Sequence, residues 1–409
     1  MELVDGRYYL NGVDVLSLAD QYGCPFYIYD TSKIKEQYDR LVSAFDYDKF
    51  KINYACKALT NISILKYFNK LGSNLDTVSI QEVRLGLKAG FLPDRITYTP
   101  NCVGIEELEK AKEYGVNINI DNLSILEQYG TEFPGASVCV RINPHILAGG
   151  NSKISTGHID SKFGISIHQV PHIHRIVEAT GLHIEGLHMH TGSDILDSEV
   201  FLQGAEILLN VAKDFPELKY VDFGSGFKVA YNENDVSTDI EELGKAISGR
   251  FSKFCKEYGS QLELVFEPGK YLVSEAGYFV VKTNVIKQTT STVFAGIDSG
   301  LNHLIRPMFY DAYHKITNLS NTSGRQRIYT VVGYICETDT FGINRKMHEV
   351  MEGDVLAFHN AGAYCMSMAS NYNSRFRPAE VIVHEGKDYL IRKRETMEDI
   401  YRNQIEIEL

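Results

Sequence analysis

The chain has 409 residues, with 41 basic against 53 acidic side chains, a net charge of −12 and no long basic cluster. Such a length suggests roughly two or three domains and ample chain for a large core. The acidic balance argues against nucleic acid or an anionic membrane as partners. Seven cysteines (Cys24, Cys56, Cys102, Cys139, Cys255, Cys336 and Cys365) are scattered singly, without CxxC pairs or zinc-type spacing. That usage is expected of reduced thiols in a cytoplasmic protein. The opening Met1 to Arg7 has no basic-then-apolar signal pattern, and no apolar run reaches membrane-spanning length, so neither export nor anchoring is expected.

In chain order, residues 1 to 30 read as small strands: Tyr8 to Leu10, an Asn11-Gly12 hairpin signal, Val13 to Leu16, then Phe26 to Tyr29. Thr31 or Ser32 can cap a helix to Phe45, after which strands and helices alternate. Strands are predicted near 51–55, 74–78, 95–99, 116–120, 137–142, 183–189, 219–223 and 262–266. Between them, capping boxes at Ser79/Glu82 and Thr238/Glu241 open helices to Lys88 and Tyr258. In the second, Ile240, Leu243, Ile247, Phe251, Phe254 and Tyr258 form one apolar face read as core packing.

Eight strand-helix units fit an α/β fold of the (β/α)8 TIM-like barrel type, with its active site at the C-terminal strand ends. An open doubly wound sheet is the alternative, but a dinucleotide site would place its glycine-rich turn after the first strand rather than the seventh. Beyond about residue 280 helical periodicity fades and strand-like runs recur at Thr292–Ile297, Ile328–Ile335, Val355–Phe358, Glu380–His384 and Tyr389–Arg392. The expected organisation is a cofactor-binding barrel over 31–280 and a mostly β domain of 1–30 plus 281–409. The stretch His145 to Ser161, rich in Gly, Ser and Asn, reads as a long loop near the site.

Chemistry-bearing residues fall at strand ends. The first strand delivers Lys57; in apolar surroundings a lysine amine is easily deprotonated and can attack an aldehyde. The sixth ends in His188-Met189-His190-Thr191-Gly192-Ser193, and alternation sends both histidines to one side. A metal is conceivable there, yet no carboxylate or further histidine shows ligand spacing, so none is expected. The seventh ends in Asp222-Phe223-Gly224-Ser225-Gly226, whose glycines let backbone N–H groups approach an anion such as phosphate. The eighth ends in Glu267-Pro268-Gly269-Lys270 after the apolar Leu264-Val265-Phe266. A carboxylate so placed needs a cationic partner, either Lys270 or a protonated pyridine nitrogen.

Taken in order, Lys57, His190 with Ser193, Gly224 to Gly226 and Glu267 to Lys270 resemble the pyridoxal-phosphate decarboxylases of the alanine-racemase-like barrel fold. Ile154-Ser155-Thr156-Gly157, Ser161-Lys162-Phe163-Gly164, Leu304-Ile305-Arg306-Pro307 with Tyr310, Cys336-Glu337, Ala361-Gly362-Ala363-Tyr364 and Ser370-Asn371-Tyr372-Asn373 narrow the resemblance to the diaminopimelate decarboxylase family, over nearly the whole chain.

The resemblance implies that Lys57 holds the cofactor as an aldimine, that His190 stacks on the pyridine ring and that Glu267 pairs with its nitrogen. It implies that Ser193, Gly224, Ser225, Gly226 and Gly269 lie on the phosphate side. Lys270 and Tyr372 are expected on both cofactor and substrate sides. Arg306, Tyr310 and Glu337 are implied substrate contacts and Cys336 the proton donor, with Cys336 and Glu337 reaching the partner's site in a homodimer. Three positions depart from the usual pattern: Lys270 stands where arginine is usual, Ser225 where glycine is usual and Thr338 where serine is usual. The expected reaction is decarboxylation of meso-2,6-diaminopimelate to L-lysine and CO2. Decarboxylation of another basic amino acid or polyamine precursor, and a binding relative without activity, are the alternatives.

Overall fold

A computed structural model describes residues 1–146, 161–190, 192, 196 and 198–409. Ser193, the Ile154 to Gly157 motif and most of the expected 145–161 loop lie outside the described residues. Internal contacts divide the chain into two compact units. One comprises 1–36, 230–235 and 272–409; the other comprises 37–229 and 236–271. These divisions, at 36/37 and 271/272, differ by six and nine residues from the sequence-based 30/31 and 280/281, and the short return segment 230–235 was not anticipated from sequence.

At the N-terminus β1 (Glu2–Val4), β2 (Arg7–Leu10) and β3 (Val13–Asp14) form a small antiparallel sheet, with Gly12 at a φ of 81° in the expected hairpin turn. The predicted strand Val13 to Leu16 is cut short. Asp14 accepts the Leu16 N–H (3.0 Å) and so caps a helix over Val15–Tyr22. Strand β4 (Phe26–Asp30) follows, and its last residue, rather than Thr31 or Ser32, accepts the Ser32 N–H (2.8 Å) at the start of the helix Thr31–Ala44.

The second unit is built on parallel strands β5 (Phe50–Ala55), β6 (Asn74–Thr77), β7 (Ile96–Tyr98), β8 (Asn117–Ile120) and β9 (Ser137–Asn143). After the two-residue β10 (Ile165–Ser166) come β11 (His183–His188), β12 (Tyr220–Asp222) and β13 (Glu263–Phe266). Pairing runs β9-β11-β12-β13-β5-β6-β7-β8 and closes from β8 back to β9, an eight-stranded barrel as expected. Each of the eight predicted strands is present, within about two residues at either end.

The predicted apolar face of the helix Ile240–Tyr258 is buried at Ile240, Leu243, Ile247, Phe251 and Phe254. Its cap is Asp239, which accepts the Glu242 N–H (2.9 Å), not Thr238, whose hydroxyl accepts the Lys228 N–H (2.7 Å). Gly244 lets this helix touch the end of the Thr31–Ala44 helix: a Cβ there would sit 2.3 Å from the Ala44 carbonyl oxygen. Gly244→Ala is therefore expected to destabilise the fold by about 1–3 kcal/mol, read as a lowered Tm in thermal unfolding.

In the first unit β14 (Gly277–Gln288) is the central strand. Its first half pairs with β4, and it also pairs with β15 (Val293–Ile297) and β19 (Val355–Phe358). The sheet extends through β17 (Gln326–Val332) and β18 (Thr340–His348) on one side and β20 (Ala379–His384) and β21 (Lys387–Arg392) on the other, while β16 (Ile316–Asn318) pairs with β19. Its core gathers Phe26 and Ile28 with Tyr278, Val280, Ala357 and Val381 against Val15 and Leu18. Strands β1, β10, β14, β16 and β18 were not predicted.

Candidate active site

Alternation along β13 decides where its charge goes. Phe266 packs outward on Phe45 (ring centroids 4.9 Å apart) and Phe201 (5.7 Å), so Glu267 turns the other way. It is buried, and its Oε2 lies 3.0 Å from Nε2 of the equally buried His188 at the end of β11. Asp222, ending β12, completes a buried trio whose ligand-type atoms lie within 4.8 Å of one another. Sequence spacing had suggested no carboxylate near His188. The barrel supplies two, because neighbouring strand ends converge at its mouth.

Burial pushes Asp222 upward, and the charge of Glu267 takes it well above the usual carboxylate range, while the Gly224 N–H bond (2.8 Å) pulls against this. Burial also raises Glu267, but the adjacent His188 ring, its hydrogen bond and Lys57 outweigh that and hold the carboxyl at about 2. The two carboxyls therefore shift in opposite directions, Asp222 toward its protonated form and Glu267 toward its charged one. Among the described residues Glu267 Oε1 is a buried acceptor without a hydrogen-bond donor.

Lys57 lies in the single turn Cys56–Ala58 directly after β5. Its Nζ is 3.0 Å from Oδ2 of the buried Asp76 on β6, and its side chain is 41% exposed. The apolar pocket expected around this lysine is thus replaced by a buried carboxylate. Burial and then Glu267 raise the Asp76 carboxyl, with Lys57 acting in the opposite sense. Arg141 on β9, buried and placed over the Phe163 ring (4.8 Å to the centroid), adds positive charge. Asp76 and Arg141 were missed in the sequence. Arg141 nevertheless carries the signal that flagged Glu267, a charge inside an apolar run, here Val138-Cys139-Val140-Arg141-Ile142.

His190 is held by its Nδ1, which accepts the Ser225 N–H (3.2 Å). Burial, then the charges of Arg141 and Lys57, bring its pKa down to about 3, so the ring is neutral near pH 7. The glycines beside it are close-approach positions. Gly224, at a φ of 64°, would place a Cβ 2.5 Å from the Met189 carbonyl oxygen, and a Cβ on Gly269 would lie 3.1–3.2 Å from Ala58 and Ala55. Lys270 begins the short turn Lys270–Val273.

The remaining candidates belong to the other unit. Arg306, buried, donates from Nη2 to the Tyr231 hydroxyl (3.3 Å), with its guanidinium 5.4 Å from the Tyr231 ring centroid and 5.8 Å from that of Tyr310. Tyr231 was not singled out in the sequence. A separate exposed group joins the Tyr372 hydroxyl to Glu337 Oε1 (2.6 Å) and the Asn373 amide to Cys336 Sγ (3.2 Å). The bond to Glu337 pushes the Tyr372 phenol up to about 12.

The sequence profile described as "Pyridoxal-dependent decarboxylase, pyridoxal binding domain" matches residues 31–274. A diaminopimelate decarboxylase of Methanothermobacter thermautotrophicus is 40% identical over 98% of this chain and 96% of the relative. The chain belongs to the diaminopimelate decarboxylase family. The family's enzyme from Campylobacter jejuni is 35% identical, over 95% of this chain and 97% of its own. The crystal structure of the M. jannaschii diaminopimelate decarboxylase in complex with L-lysine superposes with a TM-score of 0.91 at 32% identity, covering 99% of this chain and 98% of that one. Within this family the barrel-mouth cluster and the Arg306 and Cys336 groups become the places to look for cofactor and substrate chemistry.

Proposed function

We propose that this chain decarboxylates meso-2,6-diaminopimelate to L-lysine and CO2, the last step of lysine biosynthesis, with pyridoxal 5'-phosphate as cofactor. The observation that carries the cofactor reading is Glu267 Oε1: a buried anion lacking a donor suits a protonated ring nitrogen, whereas a neutral or anionic neighbour would leave it uncompensated. The narrow glycine positions at 224 and 269, and a lysine amine 3.0 Å from Asp76, fit the same group. When bound, pyridoxal phosphate supplies an electron sink for the negative charge left on carbon as CO2 departs.

In this reading Lys57 binds the cofactor and Glu267 keeps its ring nitrogen protonated. His190, neutral and fixed by Ser225, would hold the ring, and Gly224, Ser225, Gly226 and Gly269 would hold the phosphate, together with Ser193 as the family resemblance implies. Cys336 Sγ returns the proton to carbon. Lys270, Tyr310 and Tyr372 contact the substrate, with Lys270 and Tyr372 also on the cofactor side. Arg306 takes the distal carboxylate through its planar fork and Glu337 the distal ammonium. The proposed assembly is a cytoplasmic homodimer with shared active sites, formed by a cofactor-binding barrel over 31–280 and a β domain of 1–30 plus 281–409. Exposure of Cys336 and Glu337 supports the shared site, and seven free cysteines support a reducing compartment. Among the described residues no helix is long and apolar enough to cross a membrane.

Arg306→Gln is expected to raise KM for diaminopimelate by about tenfold to a hundredfold, with a smaller fall in kcat, because a fork to a carboxylate becomes a single neutral donor. The deciding experiment is CO2 release, with product identified, from meso-diaminopimelate, LL-diaminopimelate, ornithine, arginine and lysine offered separately with pyridoxal phosphate. Lysine from the meso isomer alone supports the proposal. Turnover of ornithine or arginine instead would overturn the substrate assignment.

A further inference from the structure

His188 and Asp222 have no part in the roles assigned above, yet both are buried beside Glu267. The parallel registers explain why they meet. His188 pairs with Asp222 across β11 and β12, and Asp222 pairs with Val265 across β12 and β13, two residues before Glu267 and on its face of the strand. A backbone bond from the Glu267 N–H to the Gly224 carbonyl (2.7 Å) ties the two strand ends together, and Asp222 accepts the Gly224 N–H. His188 Nε2 lies against Oε2 of Glu267, leaving Oε1 unengaged. A lone carboxylate can rotate about its last torsion. One bonded through a single oxygen presents the other in a set direction.

Building on the proposed cofactor chemistry, we propose that His188 and Asp222 are positioning residues that hold the Glu267 carboxylate by hydrogen bonds and present Oε1 to the pyridine nitrogen. Asp222, with a carboxyl oxygen within 4.8 Å of both the Glu267 carboxylate and the His188 ring, serves as one donor in its protonated form. His188 Nε2–H serves as the second, and neither group touches the cofactor.

The test compares the wild-type holoenzyme with His188→Leu, His188→Gln and Asp222→Asn in kcat, KM, Kd for pyridoxal phosphate and the visible spectrum of the bound cofactor at fixed pH. His188→Leu is expected to lose about tenfold to a hundredfold in kcat with KM within about threefold, because a charge-assisted bond is lost only on the cofactor side. Its bound-cofactor spectrum should shift as well. His188→Gln and Asp222→Asn keep an N–H donor on each side, and both should stay within about fivefold of wild type. Equal losses in the Leu and Gln variants would mean packing alone and overturn the proposal, as would a His188→Leu protein with wild-type kcat and spectrum. Activity lost to a chelator and restored by a divalent cation would also overturn it, assigning the trio to a metal instead. Should His188→Leu not fold, the Gln variant decides: near-wild-type kcat and spectrum support the proposal, and about a hundredfold loss overturns it. A wild-type protein that binds pyridoxal phosphate but leaves diaminopimelate untouched refutes the proposed function, yet the spectral comparison still decides the role of His188.

Discussion

Glu267→Ala is expected to cut kcat by about a hundredfold to a thousandfold, the usual loss when one preorganised electrostatic partner of the transition state is removed, while KM moves by less than about threefold. The split follows from where the charge acts. The substrate's head groups do not meet Glu267 in the proposed assignment, whereas negative charge on carbon grows only as the carboxylate leaves, and the proposed role of Glu267 is to keep a bound pyridine nitrogen protonated so that it could take up that charge. Glu267→Gln keeps the volume and removes the charge, so it separates electrostatics from packing beside His188 and Asp222. Its kcat should lie near that of the alanine variant. Steady-state CO2 release against diaminopimelate concentration measures both constants, and an unchanged kcat in either variant would remove Glu267 from the chemistry.

Lys57→Ala should have a larger effect still, with kcat/KM lower by about a thousandfold or more, as befits loss of the group proposed to hold the cofactor. The variant should also fail to show the yellow absorbance that the wild-type protein gains with pyridoxal phosphate. The lysine is partly exposed and its partner Asp76 buried. Loss of the lysine side chain removes both its charge and its hydrogen bond, which oppose burial at Asp76, so that carboxyl takes up a proton more readily and the fold survives. Absorbance titration with pyridoxal phosphate, beside the CO2 assay, checks both halves. A Lys57→Ala protein that keeps the chromophore would sink the assignment.

The barrel was legible because its strands are short apolar runs separated by helices whose apolar faces repeat at helical spacing, as in Ile240 to Phe254. Helix starts were less so. Asp14, Asp30 and Asp239 cap helices, each next to a residue type that caps as well or continues a strand, and local pattern does not choose between such neighbours. In the β unit, β18 lacks clean alternation, with Gly342, Arg345 and Lys346 inside it, and β14 begins as a continuous apolar run just where helical patterning fades. At the site, Glu267, Lys57, His190 and the glycine turn could be read one strand at a time. Asp76, Arg141 and the partnership of His188 with Asp222 depend on which strands become neighbours, and single-strand patterns do not encode that. The part-buried bond from Arg306 to Tyr231 joins residues 75 apart in sequence and was equally invisible.

The return segment Ala230–Asp235 has a practical consequence for anyone wishing to dissect the molecule. Because the chain leaves the barrel unit and re-enters it, no single cut at each end can release that unit as an uninterrupted piece. A gene fragment spanning 37–271 would carry six residues that fold with the other half, among them Tyr231, stripped of the guanidinium that donates to its hydroxyl and lies over its ring. Modular shuffling of such a gene must therefore preserve three stretches at once, and recombination breakpoints at 36/37 and 271/272 would yield orphans rather than autonomous parts.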